Sequence, residues 1–204
     1  MTEEEIIINS GKIKIEGLLK NLSGDKGVIV SHPHPLHGGD MYNNVVEAVC
    51  MVYQEKGYST LRFNFRGVGQ SEGEYDEGIG EQDDVEAALV YFADLGKKEL
   101  DLVGYSFGSW VNALGLNKYK KVKRVIMVSP PVDLLDFSSL AYNQKIKLVI
   151  SGSEDEIADW KSIKKMIPGW NHEAALKVIQ GADHFYWGKT DELEEIIHEF
   201  LEQD

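Results

Sequence analysis

The chain has 204 residues, 43% of them hydrophobic and 27% charged, which is ordinary for a globular protein and excludes disordered, collagen-like and fibrous classes. The formal net charge of −13 disfavours nucleic acid and anionic membrane as partners, because both need positive patches. The length predicts a single domain over residues 1–204. The one cysteine, Cys50, excludes an internal disulfide framework, and no signal peptide or membrane-spanning run is visible, so we expect the protein in the cytoplasm.

The first half of the chain predicts a hairpin followed by alternating strands and helices. Two strands, EIIIN and KIKIEGLLK, flank a predicted turn at 9–11. The buried strand GVIVSH precedes a helix from Asn44 to about Lys56, and the next strand is STLRFNF. A glycine-rich loop then leads to a second helix, whose apolar face carries Val85, Ala88, Leu89 and Phe92.

The second half continues the alternation. Its strands are ELDLVGY, VKRVIMVS, KIKLVISG and ALKVIQG, and its helices run from Phe107 to about Leu116, from Ile157 to about Ile167, and along the C-terminal segment. Near-continuous apolar strands indicate a sheet that is buried on both faces. We therefore predict an α/β fold, a three-layer α/β/α sandwich with a mostly parallel, doubly wound sheet and an antiparallel hairpin at its N-terminal edge.

Ser106 lies where the strand ELDLVGY gives way directly to a helix, within the pentapeptide GYSFG. This G-x-S-x-G pattern in that context is typical of a nucleophile held on a sharp turn. Gly104 and Gly108 fit, because side chains there would clash with the neighbouring strand and helix. The alternative interpretation is a structural serine in a glycine-rich bend.

A serine nucleophile requires a histidine base and a carboxylate that orients it. His184 is the only histidine after Ser106 that follows a strand at the predicted active edge, because His172 precedes its strand and His198 lies on the last helix. Asp155 follows the turn after KIKLVISG, and the order serine, acid, histidine is the one this fold requires. Spacing alone leaves four rival carboxylates open: Glu154, Glu156, Asp133 and Asp136.

The chain resembles the alpha/beta hydrolase superfamily, and within it a small bacterial branch of compact members without a lid. The segments that carry the resemblance extend from the first buried strand to the last helix. They are SHPHPLHGGDMYNNVV, LRFNFRGVGQSEGEYDEGIGEQDDVEAAL, VGYSFGSWV, VSPPV, LVISGSEDE and GADHFYWGK. The resemblance implies a hydrolase and does not indicate the substrate. It also implies that Arg66 and Glu72 brace the glycine-rich loop, with substrate contact as the alternative.

Hydrolysis of an ester also needs backbone donors for the developing oxyanion. One is expected from the N–H of Phe107, directly after Ser106, and the second from the loop after GVIVSH. His34 is the best second donor by position, with Leu36 behind it, because Pro33 and Pro35 have no N–H. The same segment contains a possible metal cluster, but the resemblance assigns it to the oxyanion loop, so we expect no metal; the cluster is His32, His34, His37 and Asp40.

We expect a serine hydrolase that cleaves a small ester or thioester with Ser106, His184 and Asp155, without a cofactor. Only a short segment, 131–145, separates two strands where a lid could be inserted, so the site should be open. Alternatives are a binding protein on the same fold and a small-peptide hydrolase. A homodimer is compatible with the sequence. Possible pocket residues are Tyr105, Leu36, Tyr186 and Trp187, and Trp110 is also near the site in sequence.

Overall fold

The computed structural model describes residues 2–203 and contains one eight-stranded sheet in the order β1-β2-β4-β3-β5-β6-β7-β8. The strands are β1 Glu4–Ser10, β2 Ile13–Lys20, β3 Lys26–Ser31, β4 Ser59–Phe63, β5 Glu99–Tyr105, β6 Val122–Val128, β7 Ile146–Gly152 and β8 Ala175–Ile179. The central strands β3 to β7 are almost wholly buried, as their continuous apolar character predicts.

Five α-helices cover the two faces of the sheet, which confirms the three-layer prediction. They are α1 Asn44–Glu55, α2 Gly80–Asp94, α3 Phe107–Gly115, α4 Trp160–Asn171 and α5 Thr190–Glu202. The core on one face contains apolar side chains of α1 and α5, including Val49 and Ile197. The core on the other face contains those of α2, α3 and α4, including Val85, Val111 and Ile163.

The antiparallel edge of the sheet is also confirmed. Strand β2 pairs antiparallel with both β1 and β4, and the remaining pairs are parallel, so β2 alone runs against the other strands. The predicted position of the hairpin turn is too early. Ser10 pairs with Ile13, and the turn itself is Gly11-Lys12, where Gly11 adopts the positive φ of +60° that glycine accepts without strain.

The prediction of a helix from Ile157 to Ile167 is wrong at both ends. Helix α4 begins at Trp160, because the side chain of Asp159 caps it by accepting hydrogen bonds from the N–H groups of Lys161 and Ser162. It then continues past Pro168 to Asn171. The segment before the cap forms a turn instead, in which the N–H groups of Ile157 and Ala158 bind a carboxylate of the site described below.

The parallel strands bring their carboxyl ends to one edge of the sheet, where ligands bind in open α/β folds. The connection between β6 and β7 contains neither helix nor strand, so no lid domain covers this edge. None of the helices in residues 2–203 has the combination of length and apolar character that a membrane span requires.

Candidate active site

Ser106 occupies a strained turn between β5 and α3. Its backbone has φ 52° and ψ −116°, a conformation that is uncommon for a residue with a side chain. Its N–H donates to the carbonyl of Val128 in the adjacent strand β6, and its own carbonyl accepts from the N–H of Ser109 in the first turn of α3. These bonds hold the turn and direct the Ser106 side chain beyond the sheet edge.

The two glycines of the pentapeptide are required by close backbone contacts. A Cβ at Gly104 would lie 2.5 Å from the N atom of Ser109, and one at Gly108 would lie 2.4 Å from the carbonyl oxygen of Ser31. The first contact is with α3 and the second with the end of β3. The predicted reason for these glycines, a clash with the following helix and the neighbouring strand, is therefore confirmed.

The ring of His184 lies between Ser106 and a carboxylate. Its Nε2 is 2.9 Å from Ser106 Oγ, and its Nδ1 is 3.0 and 2.9 Å from the two carboxylate oxygens of Asp155. The three side chains come from the ends of β5, β7 and β8, and all three residues are buried. A hydroxyl, an imidazole and a carboxylate joined in this order are the groups that nucleophilic catalysis by serine requires.

Asp155 is held as a carboxylate by its surroundings. Burial raises its pKa, but the hydrogen bond and charge attraction from His184, together with hydrogen bonds from Ser129 and the Ala158 N–H, outweigh burial and hold the pKa of the carboxyl below its usual value. Its Oδ1 also accepts the N–H groups of Ile157 and Ala158, at 3.0 and 2.7 Å. Backbone donors therefore fix the orientation of the carboxylate that faces the imidazole.

The rival carboxylates and histidines are exposed or contact other residues. Glu154 and Glu156, on either side of Asp155, are exposed, and the side chain of Asp136 accepts hydrogen bonds from Ser138. Asp133 is also exposed. Two histidines make contacts away from the sheet edge, His172 stacking on Tyr142 and His198 pairing with Glu55.

The loop after β3 folds into a short 3₁₀ turn, Pro35–His37, beside Ser106. The N–H of Leu36 donates to the Nδ1 atom of His34, and the N–H groups of His37 and Gly39 donate to the His34 carbonyl. Within residues 33–39 the His34 N–H is thus the one backbone donor for which the described chain provides no acceptor. On the other side of Ser106, Phe107 is the first residue of α3, so its N–H has no intrahelical acceptor.

His32 is a buried structural residue of this loop. Its Nδ1 lies 2.7 Å from the carbonyl oxygen of Pro33, and its Nε2 accepts the N–H of Phe65 at 3.0 Å. The pKa of His32 is lowered to about 4, mainly by burial and also by the nearby His34, although the hydrogen bond to Pro33 opposes both. Among residues 2–203 no group of three or more histidine, cysteine or acidic side chains is arranged to hold a metal ion.

A cavity of about 690 Å³ opens over Ser106 and His184. One part of its wall is polar and includes His34, His37 and Asn43. The other part is apolar and is formed by Pro131, Leu134, Leu135, Ile157 and Phe185. Of the described residues that line the cavity, none is lysine, arginine, aspartate or glutamate. The cavity therefore suits an uncharged group next to the serine hydroxyl.

The four predicted pocket residues separate into different environments. Tyr105 lines the cavity, and its hydroxyl donates to the carbonyl of His184 at 2.6 Å. Tyr186 is wholly buried, and its hydroxyl lies 2.7 Å from the hydroxyl of Ser129. It therefore anchors the loop that carries His184 from the protein interior. Leu36 and Trp187 are exposed, at 66% and 73%, and neither is part of the cavity wall.

Arg66 braces the glycine-rich loop, and it does so through an acid of α2. Its Nε and Nη2 atoms donate to the two oxygens of Asp84, at 3.0 and 2.8 Å, and its backbone N–H binds Asp84 as well. Glu72 acts separately by accepting the N–H of Lys14. Arg66 is outside the cavity wall, so the alternative of substrate contact is not supported.

Comparison with known proteins identifies the family, although no protein-family model matches the chain. An alpha-beta serine hydrolase homologue from Coxiella burnetii is 35% identical, with a TM-score of 0.90 and coverage of 98% of each chain. An alpha/beta serine hydrolase without a lid from Xanthomonas campestris is 27% identical, with a TM-score of 0.90 over 100% of this chain and 95% of that one. The chain belongs to the lidless branch of the alpha/beta hydrolase superfamily.

A further relative, an uncharacterized protein from Rickettsia prowazekii, is 32% identical, and the match covers 97% of this alpha/beta hydrolase and 88% of the Rickettsia protein. Near-complete coverage of each relative agrees with the absence of an inserted lid between β6 and β7 in the described chain. That connection instead contributes Pro131, Leu134 and Leu135 to the cavity wall of this alpha/beta hydrolase.

Sequence reasoning misses several residues of the site. It gives no role to Leu134 and Leu135, because a loop without periodicity carries no signal for where its side chains point. Asp84 lies at the start of α2, where a carboxylate suits the helix dipole, but it is fully buried against Arg66. Two features of the sequence could have indicated this pair. Asp84 lies on the buried face of the predicted helix, and the preceding loop contains Arg66, which could neutralise a buried carboxylate.

Proposed function

We propose that this alpha/beta hydrolase is a serine hydrolase that cleaves a small, uncharged ester or thioester through an acyl-enzyme intermediate. The observation that carries the proposal is the hydrogen-bonded chain from Ser106 through His184 to Asp155, with donor–acceptor distances of 2.9 to 3.0 Å. The fold of the serine hydrolase homologues from Coxiella and Xanthomonas supports the same reaction class.

In the first half of the reaction, Ser106 Oγ attacks the carbonyl carbon while His184 Nε2 takes the hydroxyl proton. Asp155 accepts the Nδ1 proton of His184 in a hydrogen bond and stabilises the imidazolium that forms. The carbonyl oxygen becomes an oxyanion, and the N–H groups of Phe107 and His34 are the proposed donors to it. Collapse of this intermediate breaks the bond to the alcohol or thiol, which leaves with the proton held by His184.

In the second half, a water molecule attacks the acyl group bound to Ser106. His184 Nε2 takes a proton from the water, and the same two N–H groups face the second oxyanion. Collapse of the second intermediate releases a carboxylic acid and returns the proton to Ser106 Oγ. Every proton moves between the substrate, water, Ser106 and His184, so the proposed cycle needs no further proton donor or acceptor.

The cavity wall supports the choice of an uncharged substrate. Its apolar part provides contacts for hydrocarbon next to Ser106, and its polar part contains imidazole and amide groups instead of fixed charges. A buried unpaired charge in the substrate would be costly there, because no lysine, arginine or carboxylate of the described wall could neutralise it.

The test is labelling by a fluorophosphonate probe together with turnover of p-nitrophenyl esters of increasing acyl length. We expect the wild-type protein to be labelled and Ser106→Ala to be unlabelled, with turnover lower by about 10³-fold or more. Ser138→Ala removes an exposed serine and is the matched control. If Ser106→Ala hydrolyses esters at the parent rate, Ser106 is a structural serine. Absence of labelling in the wild-type protein would instead favour the binding-protein alternative.

A further inference from the structure

His32 lies directly before the segment that carries the proposed second oxyanion donor, yet it is fully buried and outside the cavity wall. Its two ring nitrogens have different partners, the carbonyl oxygen of Pro33 and the N–H of Phe65. Since a carbonyl only accepts and an N–H only donates, His32 is neutral with its proton on Nδ1. The ring therefore donates to Pro33 at 2.7 Å and accepts from Phe65 at 3.0 Å.

The Pro33 carbonyl and the His34 N–H belong to the same peptide unit. A peptide unit is planar, and in its trans form the C=O and N–H bonds point in opposite directions. This peptide is trans. A donor that fixes the carbonyl end of the plane consequently fixes the direction of the N–H end. His32 Nδ1–H holds the carbonyl end from the protein interior, while His34 lies in the wall of the cavity over Ser106.

The loop around this peptide lies against the first turn of α3. A Cβ at Gly108 would come 2.4 Å from the Ser31 carbonyl oxygen and 2.8 Å from that of His32. The rings of His34 and Phe107 also contact each other, with centroids 4.8 Å apart. The two proposed oxyanion donors, the N–H groups of His34 and Phe107, are therefore on adjacent backbone segments beside Ser106.

We infer that His32 is a positioning residue for the reaction: its Nδ1–H donates to the Pro33 carbonyl and thereby aims the His34 N–H at the oxyanion. The inference rests on the proposed function. It assigns a specific task to each ring nitrogen, since only the Nδ1 bond acts on the peptide unit that contains the donor. The Nε2 bond to Phe65 ties the ring to the loop after β4 and acts on stability.

The two nitrogens can be tested separately with a pair of amide substitutions. In His32→Asn the side-chain amide is the right length to replace Nδ1 and can still donate to Pro33. In His32→Gln the longer amide replaces Nε2 and can still accept from Phe65, but the donor to Pro33 is lost. Each variant loses one buried hydrogen bond, so a purely structural role predicts similar effects for both.

We expect His32→Gln to lower kcat for a neutral p-nitrophenyl ester by about 10- to 100-fold, with KM within about twofold, because an oxyanion donor acts on the transition state. His32→Asn should retain kcat within about threefold. Inhibition by a trifluoromethyl ketone, which forms a tetrahedral adduct with the serine, should weaken in parallel with kcat in His32→Gln and change little in His32→Asn. Tyr53→Phe removes a buried hydrogen bond to Asp101 at the opposite edge of the sheet and controls for loss of stability.

Equal kcat values in the Asn and Gln variants would overturn the role of His32, provided that the fluorophosphonate probe labels all of the proteins. A decrease in His32→Gln that appears only in KM would also overturn it. Absence of labelling and of ester hydrolysis in the wild-type protein would overturn the proposed function itself, and the role of His32 with it. The probe thus distinguishes the two failures.

Discussion

At the residue scale, the site depends on which atom of each polar side chain faces which partner. Asp155 uses Oδ1 for the backbone N–H groups of Ile157 and Ala158, and both of its oxygens face His184. His32 uses Nδ1 and Nε2 for two different backbone groups. Each of these atoms has its own hydrogen-bond partner. We therefore expect a large loss of activity from a substitution that keeps the shape of the side chain but replaces a donor with an acceptor.

Asp155→Asn is the first prediction. The Asn Oδ1 can keep the two backbone N–H groups, but the amide nitrogen then faces His184 Nδ1 and donates to it. This contact places the imidazole proton on Nε2, so His184 can no longer accept the proton of Ser106. We expect kcat to fall by about 10³- to 10⁴-fold, measured with p-nitrophenyl butyrate, while the protein remains folded.

Glu156→Gln is the matched control, because it removes the same charge one residue away. Glu156 is exposed, so water and salt screen its charge, and activity should stay within about threefold of the wild type. A larger loss in Glu156→Gln than in Asp155→Asn would show that Asp155 is not the carboxylate that orients His184.

The second prediction is that His32 makes the free energy of unfolding depend on pH. Its pKa is about 4 in the folded protein, below its value of ~6.5 in an unfolded chain. Between these values the unfolded state binds a proton that the folded state does not, so the free energy of unfolding decreases as pH falls from ~6.5 to about 4. The full difference corresponds to about 3 kcal/mol.

Urea unfolding of the wild type and of His32→Asn across this pH range measures the contribution. The decrease with falling pH should be smaller in His32→Asn, which has no group to protonate at that position. Parallel pH profiles for the two proteins would show that His32 is not the group responsible.

At the element scale, the site is built where β5 turns into α3 against the end of β3. The first turn of α3 presents N–H groups without intrahelical acceptors, and their partial positive charge favours an anion beside Ser106. The elements approach so closely that glycine is required at the contacts. The spacing between β3 and α3 therefore determines where the two proposed oxyanion donors lie relative to each other.

Gly108→Ala is the third prediction. The added Cβ would meet backbone oxygens of Ser31 and His32 at 2.4 and 2.8 Å, and backbone cannot move aside without shifting β3 or α3. We expect the free energy of unfolding to fall by about 1–3 kcal/mol in urea titrations, with a loss of esterase activity in the folded fraction. Gly169→Ala is the control, because a Cβ added at this glycine of α4 would meet no heavy atom within 4 Å beyond the backbone of its own helix.

In the control variant stability should be unchanged or higher by up to about 1 kcal/mol, since alanine favours a helix more than glycine does. If the two variants have the same stability, the close contact between α3 and β3 is not the reason for the glycine at 108.

At the scale of the whole molecule, a strongly acidic protein contains a cavity whose described wall has no acidic or basic residue other than histidine. The formal net charge is −13, whereas the described cavity wall contains no lysine, arginine, aspartate or glutamate. An adjacent groove shares Ile157, His184 and Phe185 with the cavity. Besides Asp155, its wall includes four acidic residues, namely Glu154, Glu156, Asp159 and Asp183.

The fourth prediction is that anionic esters are poorer substrates than neutral ones at low salt, because the acidic surface repels them. Suitable substrates are the butyrate esters of meta-hydroxybenzoate and meta-hydroxybenzamide, which differ in charge. The neutral ester should have a kcat/KM roughly tenfold higher at about 0.01 M salt, and the gap should narrow at about 1 M salt as the Debye length falls from ~30 to ~3 Å. Preference for the anionic ester at low salt would indicate a local positive potential at the cavity and would contradict the prediction.

The sequence by itself determined the alternation of strands and helices, because apolar periodicity reports how each segment is buried. It also determined that Ser106 and His184 follow strands, and parallel strands bring such positions to one edge. The edge hairpin was predictable because a tight turn is a local feature, and the glycines of the pentapeptide were predictable because the G-x-S-x-G pattern between a strand and a helix is typical of a crowded turn. Errors in the predicted elements were confined to their ends, such as the start of α4, where a side-chain cap at Asp159 decided the boundary.

Only the tertiary structure decided which of several nearby groups meet. Asp155, Glu154 and Glu156 are equivalent in spacing, and the direction of each side chain at the turn selects Asp155 to face His184. The proposal of His34 over Leu36 as the second oxyanion donor rests on which N–H groups the folded loop already uses. The pairing of Arg66 with Asp84 and the contribution of Leu134 to the cavity join segments far apart in the chain. Contacts of this kind depend on side-chain direction and packing between elements, which a pattern along one segment does not contain.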